Sequence, residues 1–221
     1  MDLGAIKWDG AGLVAVVVQE ARTGEVRMVG WANSEAVKRT VETGEGWFWS
    51  RSRAELWRKG GSSGNTLAVR EVWADCDADA LVYVAEAAGP TCHTGRQSCF
   101  FRPVTASGVA EGDGASAAPV LLTLGRELEA RKAAATATKS YTKSLLEAGV
   151  GRIGEKVREE ADEYARALAG EADERVVSEA ADVVYHLMVG LLARGRSLAD
   201  VAQELARRAG TSGHEEKASR S

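Results

Sequence analysis

Every tryptophan, phenylalanine and cysteine of this chain lies before residue 104, and that division constrains its folding more than any other feature. The six tryptophans fall between Trp8 and Trp73, and the three phenylalanines and three cysteines all precede Pro103. Beyond that point the sequence is rich in Ala, Glu, Leu and Arg. Between the halves, residues 104–119 are small and glycine-rich, and Pro103 and Pro119 flank them. A chain of 221 residues with such a break is read as two small domains rather than one. The expected organisation is a first domain over 1–103, a flexible linker over 104–119, a second domain over 120–208, and a polar, disordered tail over 209–221.

The two halves carry different periodicities. Residues 13–19 and 26–31 are β-branched runs around a Thr23-Gly24 turn, the pattern of a hairpin. Residues 34–43 predict one helix stopped by Gly44, and 47–50, 67–75 and 80–86 predict strands, with 99–102 a weaker one. After the linker, residues 120–133, 141–148, 153–168, 174–193 and 198–207 carry apolar residues at three- and four-residue steps. Gly149, Gly170 and Gly195 punctuate these helices, and Ser197 suits an N-cap. The fold class is α+β: a β-rich α+β domain followed by an all-α bundle.

A hydrophobic fraction of 45%, a charged fraction of 27% and a net charge of −4 describe an ordinary globular chain. No long basic stretch with interleaved aromatics suggests a nucleic-acid partner. The N-terminus lacks a basic opening followed by a long apolar run, and the longest apolar stretch, residues 13–18, is too short to cross a bilayer. The expectation is a cytoplasmic protein with no membrane partner. Three cysteines without a secretion signal point away from a disulfide framework and towards thiol or metal chemistry.

Asp75, Cys76, Asp77 and Asp79 follow an alternating run. In an extended chain the three aspartates would line one face and Cys76 the other. Clustered carboxylates suit Mg²⁺, and thiolates suit Zn²⁺, so one segment could serve two metals. Cys92 and Cys99 are the remaining thiols. Three protein ligands and an open position are the arrangement of a catalytic zinc, which lowers the pKa of water to about 7. His93, beside Cys92, is a candidate general base or water-orienting group. The bland alternatives are small buried thiols and solvated aspartate turns.

In order along residues 10–103, the runs Trp49-Ser50-Arg51-Ser52-Arg53, Leu56-Trp57-Arg58-Lys59-Gly60, Ser63-Gly64-Asn65, Asp75-Cys76-Asp77-Ala78-Asp79 and Gly89 to Phe100 resemble phosphoribosyl-AMP cyclohydrolase. The resemblance implies a small α+β domain, working as a homodimer, that hydrolytically opens the adenine ring of phosphoribosyl-AMP in histidine biosynthesis. It also implies zinc bound by Cys76, Cys92 and Cys99 across the dimer interface, and magnesium bound by Asp75, Asp77 and Asp79. Arg51, Arg53, Arg58 and Lys59 are candidates for the substrate phosphate. One departure is Gly46-Trp47-Phe48, where a His-Tyr pair is more usual in the family; it bears on the packing around the pocket rather than on the metal ligands.

In the second half, Glu163 is a helical neighbour of both Glu159 and Glu160, while Glu179, Asp182 and His186 share an arc of the next helix. Carboxylates turned towards an apolar interface are costly without a cation, and Mg²⁺ would compensate them. The alternative is a charged outer face. The E-E-x-x-E and E-x-x-D patterns resemble the all-α nucleoside triphosphate pyrophosphohydrolases. Ser140 to Leu146 and Glu179 to His186 narrow the resemblance, over about residues 120–208, to phosphoribosyl-ATP pyrophosphatase. It implies that Glu159, Glu160, Glu163, Glu179 and Asp182 hold Mg²⁺ for release of pyrophosphate from phosphoribosyl-ATP. Lys143 is a further candidate for a phosphate contact.

The product of the second activity is the substrate of the first, so the expected function is a bifunctional hydrolase acting on phosphoribosyl adenine nucleotides with Zn²⁺ and Mg²⁺. Its rivals are a general nucleoside triphosphate pyrophosphohydrolase with an inactive zinc-stabilised interaction domain, and a non-catalytic zinc-stabilised protein.

Overall fold

The computed structural model of the chain describes residues 2–112, 117–134 and 140–209. They divide between Pro119 and Val120 into two compact units. In the first, β1 (Val14–Glu20) and β2 (Val26–Ala32) form an antiparallel hairpin. α1 (Ser34–Thr43) follows, with the Asn33 side chain accepting from the Ala36 N–H and Gly44 (φ 68°) closing the helix in the left-handed conformation. A ribbon of β3 (Trp47–Ser50) and β4 (Glu55–Arg58) comes next, then β5 (Leu67–Ala74) and β6 (Ala80–Ala87). The main sheet has the order β2-β1-β6-β5, with β6 parallel to β1 and antiparallel to β5. A parallel pair needs a crossover, and α1 with the β3–β4 ribbon lies within it.

Strand alternation builds the core. Val14, Val16 and Val18 of β1 and Leu81, Tyr83 and Ala85 of β6 point inward onto Ala36 and Val37 of α1. Phe48 is wholly buried, stacked on Trp57 at 5.1 Å and tilted against Tyr83 at 5.7 Å. A Cβ at Gly30 would stand 2.6 Å from the Phe48 ring, so glycine there lets the ribbon close onto β2. The unusual Phe48 is therefore packed among Trp57, Tyr83 and Gly30.

Three sequence expectations for this unit are corrected. Residues 99–102 are not a strand; they follow a loop whose hydrogen bonds go to β2. The β4 strand was not expected, because its polar ends mask a half-buried Leu56-Trp57 centre. Part of the supposed linker is ordered: β7 (Val104–Thr105) and β8 (Gly108–Val109) form a short hairpin around the two-residue turn Ala106-Ser107. Residues 113–116 of that linker lie outside the described residues.

The second unit is helical: α2 (Val120–Ala133), α3 (Tyr141–Leu168), α4 (Asp173–Ala193) and α5 (Leu198–Arg208). Leu128, Leu145, Ile153, Met188, Val189 and Leu192 form its core. Gly149 (φ 85°) breaks α3, and the second segment follows the break directly instead of starting at residue 153. At the N-cap of α5, Ser197 donates its backbone N–H to Asp200 at 2.8 Å. By length and composition alone α4 is apolar enough to cross a membrane, a feature the sequence reading did not single out. It buries Glu179 and His186 beside Met188 and Val189, which marks it as a helix of this bundle. The expected tail lies outside the described residues from 210 onward.

Candidate functional site

The thiols Cys92 and Cys99 sit on a loop that β2 holds in place. Inside the loop, Thr91 and Cys92 donate their N–H groups to Gln97 and Arg96, and Gly95 (φ 81°) makes the turn. The Ser98 hydroxyl donates to the Val26 carbonyl at 2.8 Å, and the Cys99 N–H donates to Arg27 at 2.8 Å. Arg27 is buried against Glu25 at 3.3 Å and donates to both oxygens of Gln97 at 3.0 Å. A buried ion pair left with one partner is strongly destabilising, so this staple fixes where the loop lies.

The loop brings the Cys92 and Cys99 side chains close enough to perturb one another electrostatically. Burial works to raise the Cys92 thiol, but hydrogen bonds from Thr94, whose hydroxyl donates to Sγ at 3.1 Å, outweigh it and leave the thiol below its ordinary value. Burial first, and the neighbouring Cys92 second, push Cys99 up to about 11, while Lys59 acts in the opposite direction. His93 is exposed, its Nδ1 3.9 Å from the Cys92 sulfur. Cys76 is exposed in the turn between β5 and β6 and does not join the other thiols in a three-ligand group within the chain, among the described residues.

Asp75 to Asp79 are not extended, as expected from the sequence, but form that turn. Asp75 accepts from the N–H groups of Asp79 at 3.0 Å and Ala80 at 3.2 Å, and Ala78 takes the left-handed conformation (φ 61°). Alternation therefore does not operate, yet one ligand atom each from Asp75, Asp77 and Asp79 lies within 4.8 Å of the others. The N–H of Ala80, with those of its neighbours, lowers the Asp75 carboxyl. The charges of Asp77 and then Asp75 raise Asp79.

In the helical unit Glu160, Glu179 and Asp182 bring ligand atoms within 4.8 Å of one another. Glu163 neighbours Glu179. Glu159 instead faces outward, 3.0 Å from Lys156. Lys156 also reaches Glu160 at 2.8 Å, and Arg175 reaches Glu179 at 2.7 Å. Glu179 is 2% exposed, and its Oε2 is buried without a hydrogen-bond partner. Burial raises its carboxyl despite Arg175, and Glu163 and Asp182 add to the rise. A buried carboxylate oxygen with no donor, facing two more carboxylates, is costly unless a cation compensates it.

Comparison with known proteins accounts for both halves. The family model described as phosphoribosyl-AMP cyclohydrolase matches residues 28–101, and the one described as phosphoribosyl-ATP pyrophosphohydrolase matches residues 122–209. The histidine biosynthesis bifunctional protein HisIE of Caldanaerobacter subterraneus is 39% identical over 94% of this chain and 98% of its own length. Its namesake in Aquifex aeolicus is 41% identical over 92% and 98%. The chain belongs to the HisIE family. It is a bifunctional hydrolase of histidine biosynthesis, with the cyclohydrolase in its N-terminal half and the pyrophosphohydrolase in its C-terminal half. The chloroplastic relative of Arabidopsis thaliana, at 40% identity over 99% of this chain and 80% of its own length, spans both halves too.

Within that family assignment, the basic candidates occupy different environments. Arg51 lies over the Trp31 ring at 4.6 Å, Arg53 is paired with Glu55 at 2.5 Å, and Arg58 with Glu45 at 2.6 Å. Lys59 faces the Cys99 thiol electrostatically, and Lys143 donates to the Ala134 carbonyl at 2.9 Å. Sequence reasoning missed Thr94, Lys156 and Arg175 as partners of the candidate ligands. The two cations are legible in retrospect, since each stands four residues before the glutamate it pairs with.

Proposed function

We propose that the C-terminal half cleaves phosphoribosyl-ATP to phosphoribosyl-AMP and pyrophosphate at a magnesium centre on α3 and α4, and that the N-terminal half opens the adenine ring of phosphoribosyl-AMP at a zinc centre shared by two copies of the chain. The unpartnered Oε2 of Glu179 supports the first centre, because a hard cation supplies what that oxygen lacks. Glu160, Glu163, Glu179 and Asp182 would hold the ion. Bound magnesium would neutralise the triphosphate and polarise the bond to be cleaved. The chain's own work is to align carboxylates from two helices, with Lys156 and Arg175 limiting their repulsion before the substrate arrives. Glu159, turned to Lys156, belongs to the outer edge of the set.

For ring opening, the adjacent Cys92 and Cys99 fit two sites of a soft ion, and Cys92 is already biased towards the thiolate. Zinc, when bound, would supply Lewis acidity and bring the pKa of water to about 7. Cys76 stands apart within one chain, which supports its donation by the partner of a homodimer. His93, exposed beside Cys92, would hold or accept the proton of the attacking water. Asp75, Asp77 and Asp79 would bind magnesium near the substrate phosphate, with Lys59 and Arg51 as candidate cations for that phosphate. The linker would keep each product close to the next site by raising its local concentration.

Subunit complementation tests the shared centre. Cys76→Ala and Cys92→Ala chains should each fail in ring opening. Unfolded and refolded together, they should recover about a quarter of the normal rate, since half the dimers are mixed and each mixed dimer keeps one of two sites. No recovery in verified mixed dimers would contradict a zinc centre built from two subunits.

A further inference from the structure

His186 is 4% exposed in the helical unit and has a partner on each ring nitrogen. Nδ1 lies 2.8 Å from the Asp182 carbonyl, which can only accept, so Nδ1 carries a proton. In the neutral ring Nε2 then accepts, and its partner at 3.1 Å, the Tyr141 hydroxyl, must donate. The same Nδ1–H lies 3.8 Å from Glu160 Oε1, the oxygen that Lys156 also approaches. One imidazole thus joins the first turn of α3, through Tyr141, to the acidic faces of α3 and α4. A second hydroxyl pair, Thr142 to Tyr185 at 2.8 Å, lies beside it, and the Tyr141, Tyr185 and His186 rings contact one another.

We propose that His186, fixed in its Nδ1–H tautomer by the Asp182 carbonyl and anchored at Nε2 by Tyr141, is a positioning residue of the pyrophosphohydrolase that holds Glu160 and the Asp182 turn in the geometry that receives the cation. The proposal rests on the magnesium centre argued above. An outer partner that orients a metal ligand typically governs about 10–100-fold in metal affinity. Removing the imidazole would free the Glu160 carboxylate to follow Lys156 alone, and removing the Tyr141 hydroxyl would leave Nε2 without its donor and loosen the ring.

The test uses the full chain with Mn²⁺ as the probe, titrated by the electron paramagnetic resonance signal of the free ion. Glu179→Ala serves as the blank for sites in the N-terminal half. His186→Phe, which keeps the ring's bulk, should weaken the Mn²⁺ site roughly tenfold or more, whereas His186→Asn, whose amide N–H can replace Nδ1–H, should stay within about threefold of the unaltered chain. For His186→Phe, the Mn²⁺ concentration for half-maximal pyrophosphate release should rise while kcat at saturating Mn²⁺ recovers. Ring opening by the same sample reports that the N-terminal half is intact, and helical circular dichroism reports the C-terminal half. Equal Mn²⁺ affinity in His186→Phe and the unaltered chain, or equal losses in Phe and Asn, would overturn the proposal. If His186→Phe loses its helices, Tyr141→Phe decides: several-fold weaker Mn²⁺ binding supports the anchored imidazole as the positioning group, and no change overturns it. Failure of the magnesium reading itself looks different, because Glu179→Ala would then bind as much Mn²⁺ as the unaltered chain.

Discussion

Replacing Phe48 by alanine should cripple one activity and spare the other, and the size of the effect can be worked from the packing. Phe48 is 0% exposed, so the whole ring is lost from an apolar site closed by Trp57, Tyr83 and the bare faces of Gly30 and Gly46. Transfer and cavity terms for a buried Phe→Ala change together cost about 3–5 kcal/mol. The two aromatic contacts are part of that figure, at about 0.5–1.5 kcal/mol each. At roughly 4 °C per kcal/mol for a domain of this size, the N-terminal transition should fall by about 12–20 °C. Scanning calorimetry of the full chain reads the two transitions, and the two activities assign them. Ring opening should be lost at the lower temperature, because the β3–β4 ribbon carrying Arg51 and Arg58 loses its anchor, while pyrophosphate release keeps its original midpoint. A shift below about 4 °C, which corresponds to about 1 kcal/mol, would refute the packing argument. A common fall of both activities would refute the independence of the units.

Gly60→Ala should destabilise the N-terminal half by about 1–3 kcal/mol, since the residue has φ 81° and a Cβ there would meet the Asn65 backbone at 2.5 Å; an unchanged denaturation midpoint would contradict this. The Glu204 carboxyl is held down at about 2, first by Arg207 and then by Arg208. A depressed carboxyl stabilises the fold above its unfolded value of about 4.5, and that contribution is lost as pH falls towards 2. Helical signal in Glu204→Gln should therefore differ from the unaltered chain at pH 7 and converge with it near pH 2; a constant difference would contradict the pairing. Chelation followed by Mg²⁺ alone should restore pyrophosphate release but not ring opening, which should need Zn²⁺. Recovery of both with Mg²⁺ would exclude a zinc requirement.

The regular elements were legible because their residues carry a single period. Val14, Val16 and Val18 alternate, and Asn33 and Gly44 mark both ends of α1. β4 was not, since only Leu56 and Trp57 separate its charged ends. The Asp75–Asp79 segment misled because alternation describes a strand, whereas the Asp75 side chain caps a turn through two backbone N–H groups. On the helices, spacing placed Glu159, Glu160 and Glu163 close together but not the rotation of α3 against α4. That rotation turns Glu160 towards Glu179 and leaves Glu159 to Lys156. The contact between Cys92 and Cys99 depends on the buried Arg27–Glu25 pair some 70 residues earlier, a tertiary relation that no local pattern carries.

The proposed metal centres, the zinc one shared by two subunits, would serve consecutive reactions independently of each other. The most direct test of that independence supplies phosphoribosyl-ATP and follows pyrophosphate release and adenine-ring opening as separate signals in Cys92→Ala and Glu163→Ala. Cys92→Ala should release pyrophosphate at the normal rate and accumulate phosphoribosyl-AMP unopened, while Glu163→Ala should release none yet still open phosphoribosyl-AMP added directly. Loss of both reactions from either single substitution, in protein that keeps its folded signal, would contradict it.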